Sequence, residues 1–199
     1  MNQQNSLSNA TRTTIANGHR IDMLQRDDEL VPFCTWLSGF TIANYLEIGT
    51  YTGASFAVWD SLSGPGIHIS LDPNTETGII LPPEKLAARR ALFAQLKPTI
   101  HELFMDSTDP RTLKAVRAIL GTQPLDFLFI DGDHHFRAVW SDYILYGQLV
   151  RPEGIIAFHD AILYPDVRRA WNIIQHHHSA LHLFAGNDRP WGITAIVKT

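Results

Sequence analysis

Three observations predict an α/β fold: a seven-stranded, mostly parallel sheet with helices on both faces and its last strand antiparallel. Residues 125–130, LDFLFI, form a short apolar run, as expected of a central strand covered on both sides. Strand-like runs alternate with stretches of helical spacing along most of the chain, which calls for a doubly wound sheet. The chain closes with two strand-like runs, Leu181 to Ala185 and Ile193 to Val197. Gly186-Asn187-Asp188-Arg189-Pro190 joins them and is short enough for an antiparallel hairpin.

The elements follow in order. Residues 1–26 read as a polar, frayed tail, and 27–199 as a single domain. Asp27 and Asp28 can cap a helix in which Leu30, Phe33, Cys34 and Leu37 make one apolar face, ended by Ser38-Gly39. Asn44 to Gly49 is a strand, Thr50 to Gly53 a turn, and Ala54 to Leu62 a helix. Ser63-Gly64-Pro65-Gly66 breaks that helix before a second strand, Ile67 to Leu71, which ends in Asp72-Pro73. Residues 73–83 read as a long loop, placed to act as a lid. Glu84 to Leu96 is rich in helix formers, and Pro98 stops it. Ile100 to Met105 is a third strand. Asp109-Pro110 starts a helix with Leu113, Val116 and Leu120 inward, and Gly121 ends it. After the fourth strand, Phe136, Val139, Trp140, Tyr143 and Ile144 recur at helical spacing. Pro152 and Gly154 terminate that unit before a fifth strand, Ile155 to Phe158. Asp166 can cap a last helix with Val167, Ala170, Trp171 and Ile174 on one face. His176-His177-His178 point in different directions on a helix end and read as solvated.

Composition excludes several classes. The 199 residues are 45% apolar and 18% charged, with formal net charge −4, so one globular domain is expected. The absence of a basic run argues against a nucleic-acid surface. No apolar stretch approaches the ~20 residues of a membrane span. The lone cysteine, Cys34, cannot form an intrachain disulfide and reads as a buried thiol. These features, and the lack of an apolar leader, lead us to expect a cytoplasmic protein with no membrane or nucleic-acid partner. Homo-oligomers remain open.

Chemistry is expected outside the carboxyl ends of the strands. Glu47-Ile48-Gly49-Thr50-Tyr51-Thr52-Gly53 lets backbone approach a ligand and leads into free helix N–H groups. Its G-x-x-x-G spacing does not meet the pyrophosphate fingerprint. Asp72 can accept both hydroxyls of a ribose. Together these suggest a nucleoside-containing ligand. Asp106-Ser107 serves either an adenine amino group or a helix cap. The fourth strand ends in Asp131-Gly132-Asp133-His134-His135 and the fifth in His159-Asp160. Neighbouring strands lie about 4.8 Å apart, so Asp131 and Asp160 would repel unless a cation or proton joins them. A divalent metal with oxygen ligands answers this. His159 stands as a third ligand or as a core histidine. Tyr51, Trp59 and Trp191 stand as aromatics of the site or of the core.

At these residues the chain resembles class I S-adenosylmethionine (SAM)-dependent methyltransferases, whose fold is Rossmann-like. YLEIGTYTG is similar to their first motif, and HISLD supplies the ribose acid. IDGDHHFRAVWSD with RPEGIIAFHDA resembles the metal-dependent O-methyltransferases, nearest the macrocin O-methyltransferase and cephalosporin-hydroxylase-like branch. The resemblance implies SAM bound by Glu47, Gly49, Tyr51, Gly53, Asp72, Asp106, Ser107 and Asp131. It implies a divalent metal on Asp131, His159 and Asp160, with Mg²⁺ first and Mn²⁺ or another transition metal as alternatives. His159 stands where relatives carry a carboxylate. His134 takes the position of the general base, with His135 its rival. The implied reaction is methyl transfer to a small-molecule hydroxyl. A metal-dependent hydrolase and a catalytically silent SAM-binding protein are the other classes.

Overall fold

A computed structural model describes residues 7–73, 80–97, 100–178, 181–185 and 191–199. The expected lid at 73–83 falls largely on residues outside this set, as do Pro98 and the 186–190 connection.

Among the described residues, seven strands form one sheet in the order β3-β2-β1-β4-β5-β7-β6. They are β1 (Tyr45–Ile48), β2 (His68–Leu71), β3 (Ile100–Leu103), β4 (Leu125–Ile130), β5 (Val150–Phe158), β6 (Leu181–Ala185) and β7 (Gly192–Val197). Pairings from β3 through to β5 are parallel, and β7 runs antiparallel to both β5 and β6. The helices are α1 (Asn9–His19), α2 (Asp27–Leu37), α3 (Ala54–Leu62), α4 (Pro83–Phe93), α5 (Pro110–Leu120), α6 (Phe136–Gly147) and α7 (Pro165–Ile174). The predicted fold class is the observed one. No described helix is long and apolar enough to cross a membrane.

Side chains of period two sort the strands into two cores. Leu46, Ile48, Leu128 and Ile130 join α5, α6 and α7 on one face. Tyr45, Phe127 and Phe129 join Phe33, Cys34 and Trp59 from α2 and α3 on the other. Strand β4 is therefore packed on both faces, as its apolar run requires. Its one acid, Asp126, sits near the start of the strand, where Oδ2 accepts the N–H groups of Ala43 and Asn44 at 2.8 Å each. Arg151 neutralises it from 2.6 Å.

Three local expectations are corrected. The segment read as a polar tail contains α1. Ser8 caps it by accepting the Thr11 N–H at 3.1 Å, and Leu7, Thr11, Ile15 and Gly18 turn a buried face inward. Only two of those four are strongly apolar, so the stripe is faint in sequence. Strand β5 starts at Val150, not after Pro152 and Gly154. The extra residues form an irregularity opposite Leu125–Phe127, with Glu153 at φ 62°. Asp166 is inside α7, not its cap. Its Oδ2 accepts the Phe136 N–H at 3.1 Å and ties the start of α6 to α7.

The direction of strand succession reverses between β1 and β4. A crevice at the carboxyl ends of these two strands is the usual ligand position in such sheets.

Candidate functional site

The crevice is a cavity of about 1040 Å³. Its first wall is the turn after β1. Gly49 has φ +85°, and a Cβ there would lie 2.0 Å from the Asp131 carbonyl oxygen. Only glycine lets the ends of β1 and β4 approach so closely. Tyr51 also has positive φ, +46°, which strains a bulky residue. Two contacts hold it there. Asp72 Oδ2 accepts its N–H at 2.7 Å, and Arg89 donates to its carbonyl at 2.9 Å. Arg89 is buried on α4 and also donates to Ser70 Oγ at 2.8 Å, so it binds the turn to β2. Asp72 lies at the cavity wall, where the ribose acid was expected.

Glu47 was expected to touch the ligand, but strand alternation sends it to the aromatic face. It is fully buried, outside the cavity lining, and accepts Trp59 Nε1–H at 2.8 Å. Burial pushes its carboxyl up to about 8, despite hydrogen bonds that favour the ionised form. Trp59 is consequently core, whereas Tyr51 and Trp191 line the cavity. Gly53, φ +84°, caps α3 beneath the turn. A Cβ there would press on Phe93 at 2.6 Å. Asp106 and Ser107 line the cavity. Asp106 Oδ1 also accepts from the N–H and hydroxyl of Thr108 at 2.8 Å each, so it closes a turn as well.

The second wall is the end of β4 and β5. Their pairing continues one residue on, with His159 N–H donating to the Ile130 carbonyl at 3.1 Å, and this brings Asp131 beside His159 and Asp160. Asp160 has φ +60°. His159 Nδ1 lies 3.1 Å from Asp131 Oδ1 and 3.2 Å from Asp160 Oδ2. His134 Nε2 lies 3.2 Å from Asp160 Oδ2 and 4.0 Å from Asp131 Oδ1. Burial would lower both imidazoles. Instead the neighbouring carboxylates outweigh it, holding His134 up at about 9 and His159 well above its ordinary value. Burial likewise would raise Asp160, yet His134 and His159 bring it down to about 2.

Ligand atoms of Asp131, His134 and Asp160 all lie within 4.8 Å of one another, a set able to hold a metal ion. Asp160 Oδ1 is buried without a hydrogen-bond partner among the described residues, which suits a cation between the carboxylates. The donor set of carboxylate oxygens and imidazole fits Mg²⁺, Mn²⁺ or another first-row metal. His134, read as a base, thus also belongs to the set that can ligate. Its rival His135 also lines the cavity, but it is exposed at the N-cap of α6 and pairs with Asp133 at 2.6 Å.

Several residues escaped sequence reasoning. Gln25 Nε2 donates to Asp131 Oδ2 at 2.5 Å, and Glu29 Oε1 faces His159 Nε2 at 3.1 Å. Asp22 pairs with Lys85 at 2.7 Å, and Lys85 donates to the Tyr51 hydroxyl at 3.2 Å. Tyr164 stacks on His134 at a centroid distance of 3.9 Å. One signal was available. Glu29, Phe33 and Trp36 fall at i, i+4 and i+7, so an acid shares a face with aromatics.

The fold and the crevice together define a Rossmann-like α/β protein of the methyltransferase type. The family pattern described as a methyltransferase domain matches residues 46–161, and the chain belongs to that family. A curated relative, uncharacterized protein R132 of Acanthamoeba polyphaga mimivirus, is 32% identical over 126 residues, spanning 62% of this chain and 52% of that protein. The match thus covers about half the length of that relative. Among solved structures, cofactor-bound Rv0187 from MTB superposes with TM-score 0.67 at 18% identity, covering 96% of this chain and 91% of that one. The O-methyltransferase TomG from Streptomyces achromogenes, in complex with SAM, gives 0.63 at 15% identity, covering 97% and 91%. An O-methyltransferase from Bacillus cereus in complex with SAH gives 0.61 at 17%, covering 96% and 92%.

Proposed function

We propose that this chain transfers the methyl group of SAM to a hydroxyl of a small molecule, with a divalent ion at the ends of β4 and β5. One observation carries the reading. The Tyr51–Asp72 turn and the Asp131, Asp160, His134 and His159 cluster open into the same cavity. That shared opening supports a nucleoside at the first beside an acceptor oxygen at the second.

The cofactor supplies an already activated methyl group, so the protein's task is positioning. Asp72 accepts the ribose hydroxyls, and the Gly49–Thr52 backbone lies along the ligand. Asp131, Asp160 and His159 would hold the ion, whose chemistry there is to lower the pKa of an acceptor hydroxyl. His134, facing the cavity, takes the hydroxyl proton as the methyl–oxygen bond forms and the methyl–sulfur bond breaks. A cation between the two carboxylates would offset the pull they exert on a His134 proton and so favour the neutral ring a base requires. A second reading has its own support: His134 is itself the third ligand, because its Nε2 belongs to the set within 4.8 Å.

Titration calorimetry tests both. SAM and its demethylated product should bind and NAD should not, with Mg²⁺ or Mn²⁺ binding independently. Binding of NAD in place of SAM would remove the methyl-transfer reading. Turnover of an identified acceptor that survives a chelator in full would remove the metal. Loss of Mn²⁺ binding in His134→Ala, with His159→Ala unaffected, would make His134 the ligand.

A further inference from the structure

Two side chains at the start of α2 reach the strand-end cluster, and both lie outside residues 46–161 matched by the family. Gln25 is 4% exposed, and its Nε2 donates to Asp131 Oδ2 at 2.5 Å. Glu29 is fully buried. Its Oε1 accepts the Arg26 N–H at 3.0 Å and faces His159 Nε2 at 3.1 Å, while Oε2 is buried without a hydrogen-bond partner among the described residues.

Capping alone does not explain Glu29. An acid three residues into a helix satisfies the cap from an exposed position. Burying a carboxylate with one oxygen unpaired is costly, and it persists only where something charged or strongly donating meets it. Here that partner is His159. A neutral imidazole has one N–H and one lone pair. With the Nε2–H given to Glu29, Nδ1 is left facing Asp131 Oδ1 and Asp160 Oδ2, where it would meet a cation held between those carboxylates. Histidines that ligate metals are commonly oriented by a carboxylate on the far nitrogen in this way. Gln25 does the equivalent for Asp131. By engaging Oδ2, it leaves Oδ1 turned toward His159 and His134.

We propose that Glu29 and Gln25 are positioning residues for the cluster. Glu29 orients His159 with Nδ1 toward the carboxylates, and Gln25 sets the rotamer of Asp131. The inference rests on reading the cluster as a cation site. It also makes the chain before β1 a working part of the site.

The experiment is Mn²⁺ calorimetry on the full chain without SAM, paired with ¹H–¹⁵N spectra of the His159 ring. Glu29→Ala and Gln25→Ala should each weaken Mn²⁺ binding ~10- to 100-fold. In Glu29→Ala SAM affinity should stay within about twofold, since Glu29 lies outside the cavity lining and Asp72 and its turn are untouched. Glu29→Gln should recover most of the loss, because an amide oxygen accepts the same N–H. Should Glu29→Ala fail to fold, Glu29→Met fills the space without an acceptor. The slowly exchanging Nε2–H signal of His159 should be present in the wild type and in Glu29→Gln, and absent in the variants lacking an acceptor. Wild-type Mn²⁺ affinity in both Gln25→Ala and the acceptor-free Glu29 variant would overturn the proposal. If the wild type binds no Mn²⁺, the cation reading itself fails. The ring spectra then decide alone: an Nε2–H unchanged by loss of the Glu29 acceptor overturns the orienting role, and its disappearance supports it.

Discussion

His134 Nε2 stands 3.2 Å from Asp160 Oδ2 while the His134 ring stacks on Tyr164. The imidazole is thereby fixed on both sides, by a carboxylate at its edge and an aromatic ring on its face. About a third of its side chain remains exposed, and it lines the cavity. His159 has the opposite character, 3% exposed with both nitrogens engaged by carboxylates. Both histidines line the cavity, and they differ in degree of access: His134 keeps about a third of its side chain exposed, and His159 almost none.

That difference predicts unequal mutants. His134→Ala should lower kcat by ~10²- to 10⁴-fold with SAM and metal binding nearly unchanged. The acidic limb of the rate profile should vanish with it. Near-normal kcat in His134→Ala would leave proton removal to solvent or substrate.

Asp72 should govern the cofactor. Hydrogen bonds to a charged acceptor contribute roughly 1.5–3 kcal/mol each, so Asp72→Ala should weaken SAM at least ~10-fold. Part of this loss comes through the turn, because the Tyr51 N–H loses the acceptor that holds it at positive φ. Asp72→Asn keeps an acceptor and should lose less. Equal calorimetric affinities for wild type and Asp72→Ala would displace the ribose from this wall.

Gly49→Ala should be among the most damaging single substitutions in the chain. The new methyl would lie 2.0 Å from backbone, the Asp131 carbonyl, and backbone cannot swing aside as a side-chain tip can. Positive φ adds a further penalty. A loss of ~3–5 kcal/mol, at the large end for one residue, is expected in denaturant unfolding. Gly121→Ala is the control. Its φ is +59° with ψ −116°, a backbone region L residues rarely adopt, but no described atom lies within 4 Å of the added carbon, so the cost should be that of backbone strain alone, about 1–3 kcal/mol.

Glu47 predicts a pH effect. Its folded pKa is raised from 4.5 to about 8, so folding takes up a proton across that window. The stabilising contribution is full below 4.5 and is lost as pH rises toward 8. Glu47→Gln, which keeps an acceptor for Trp59 and carries no charge, should flatten the fall of Tm over this range. Parallel Tm profiles for variant and wild type would show that Glu47 is ionised in the folded protein.

What was legible in the sequence was local. Alternation and helical spacing depend on residues a few positions apart, and they placed Ala54–Leu62 and Leu125–Ile130 at their observed limits. The same logic placed Asp72, Asp131 and Asp160 on the cavity wall, because each lies within two residues of a strand end and the site of a parallel sheet lies at strand ends. By itself, then, the sequence determined the fold class, the end of the sheet that carries the site and the acids that ring it. The tertiary structure alone decided which side chains face those acids. Glu47 was lost to the core because alternation set it opposite Trp59, a residue on another element. Gln25 meets Asp131 across 106 residues and Glu29 meets His159 across 130. No local period records such a pairing. It arises only when α2 packs on the sheet and burial forces each polar group to find its partner.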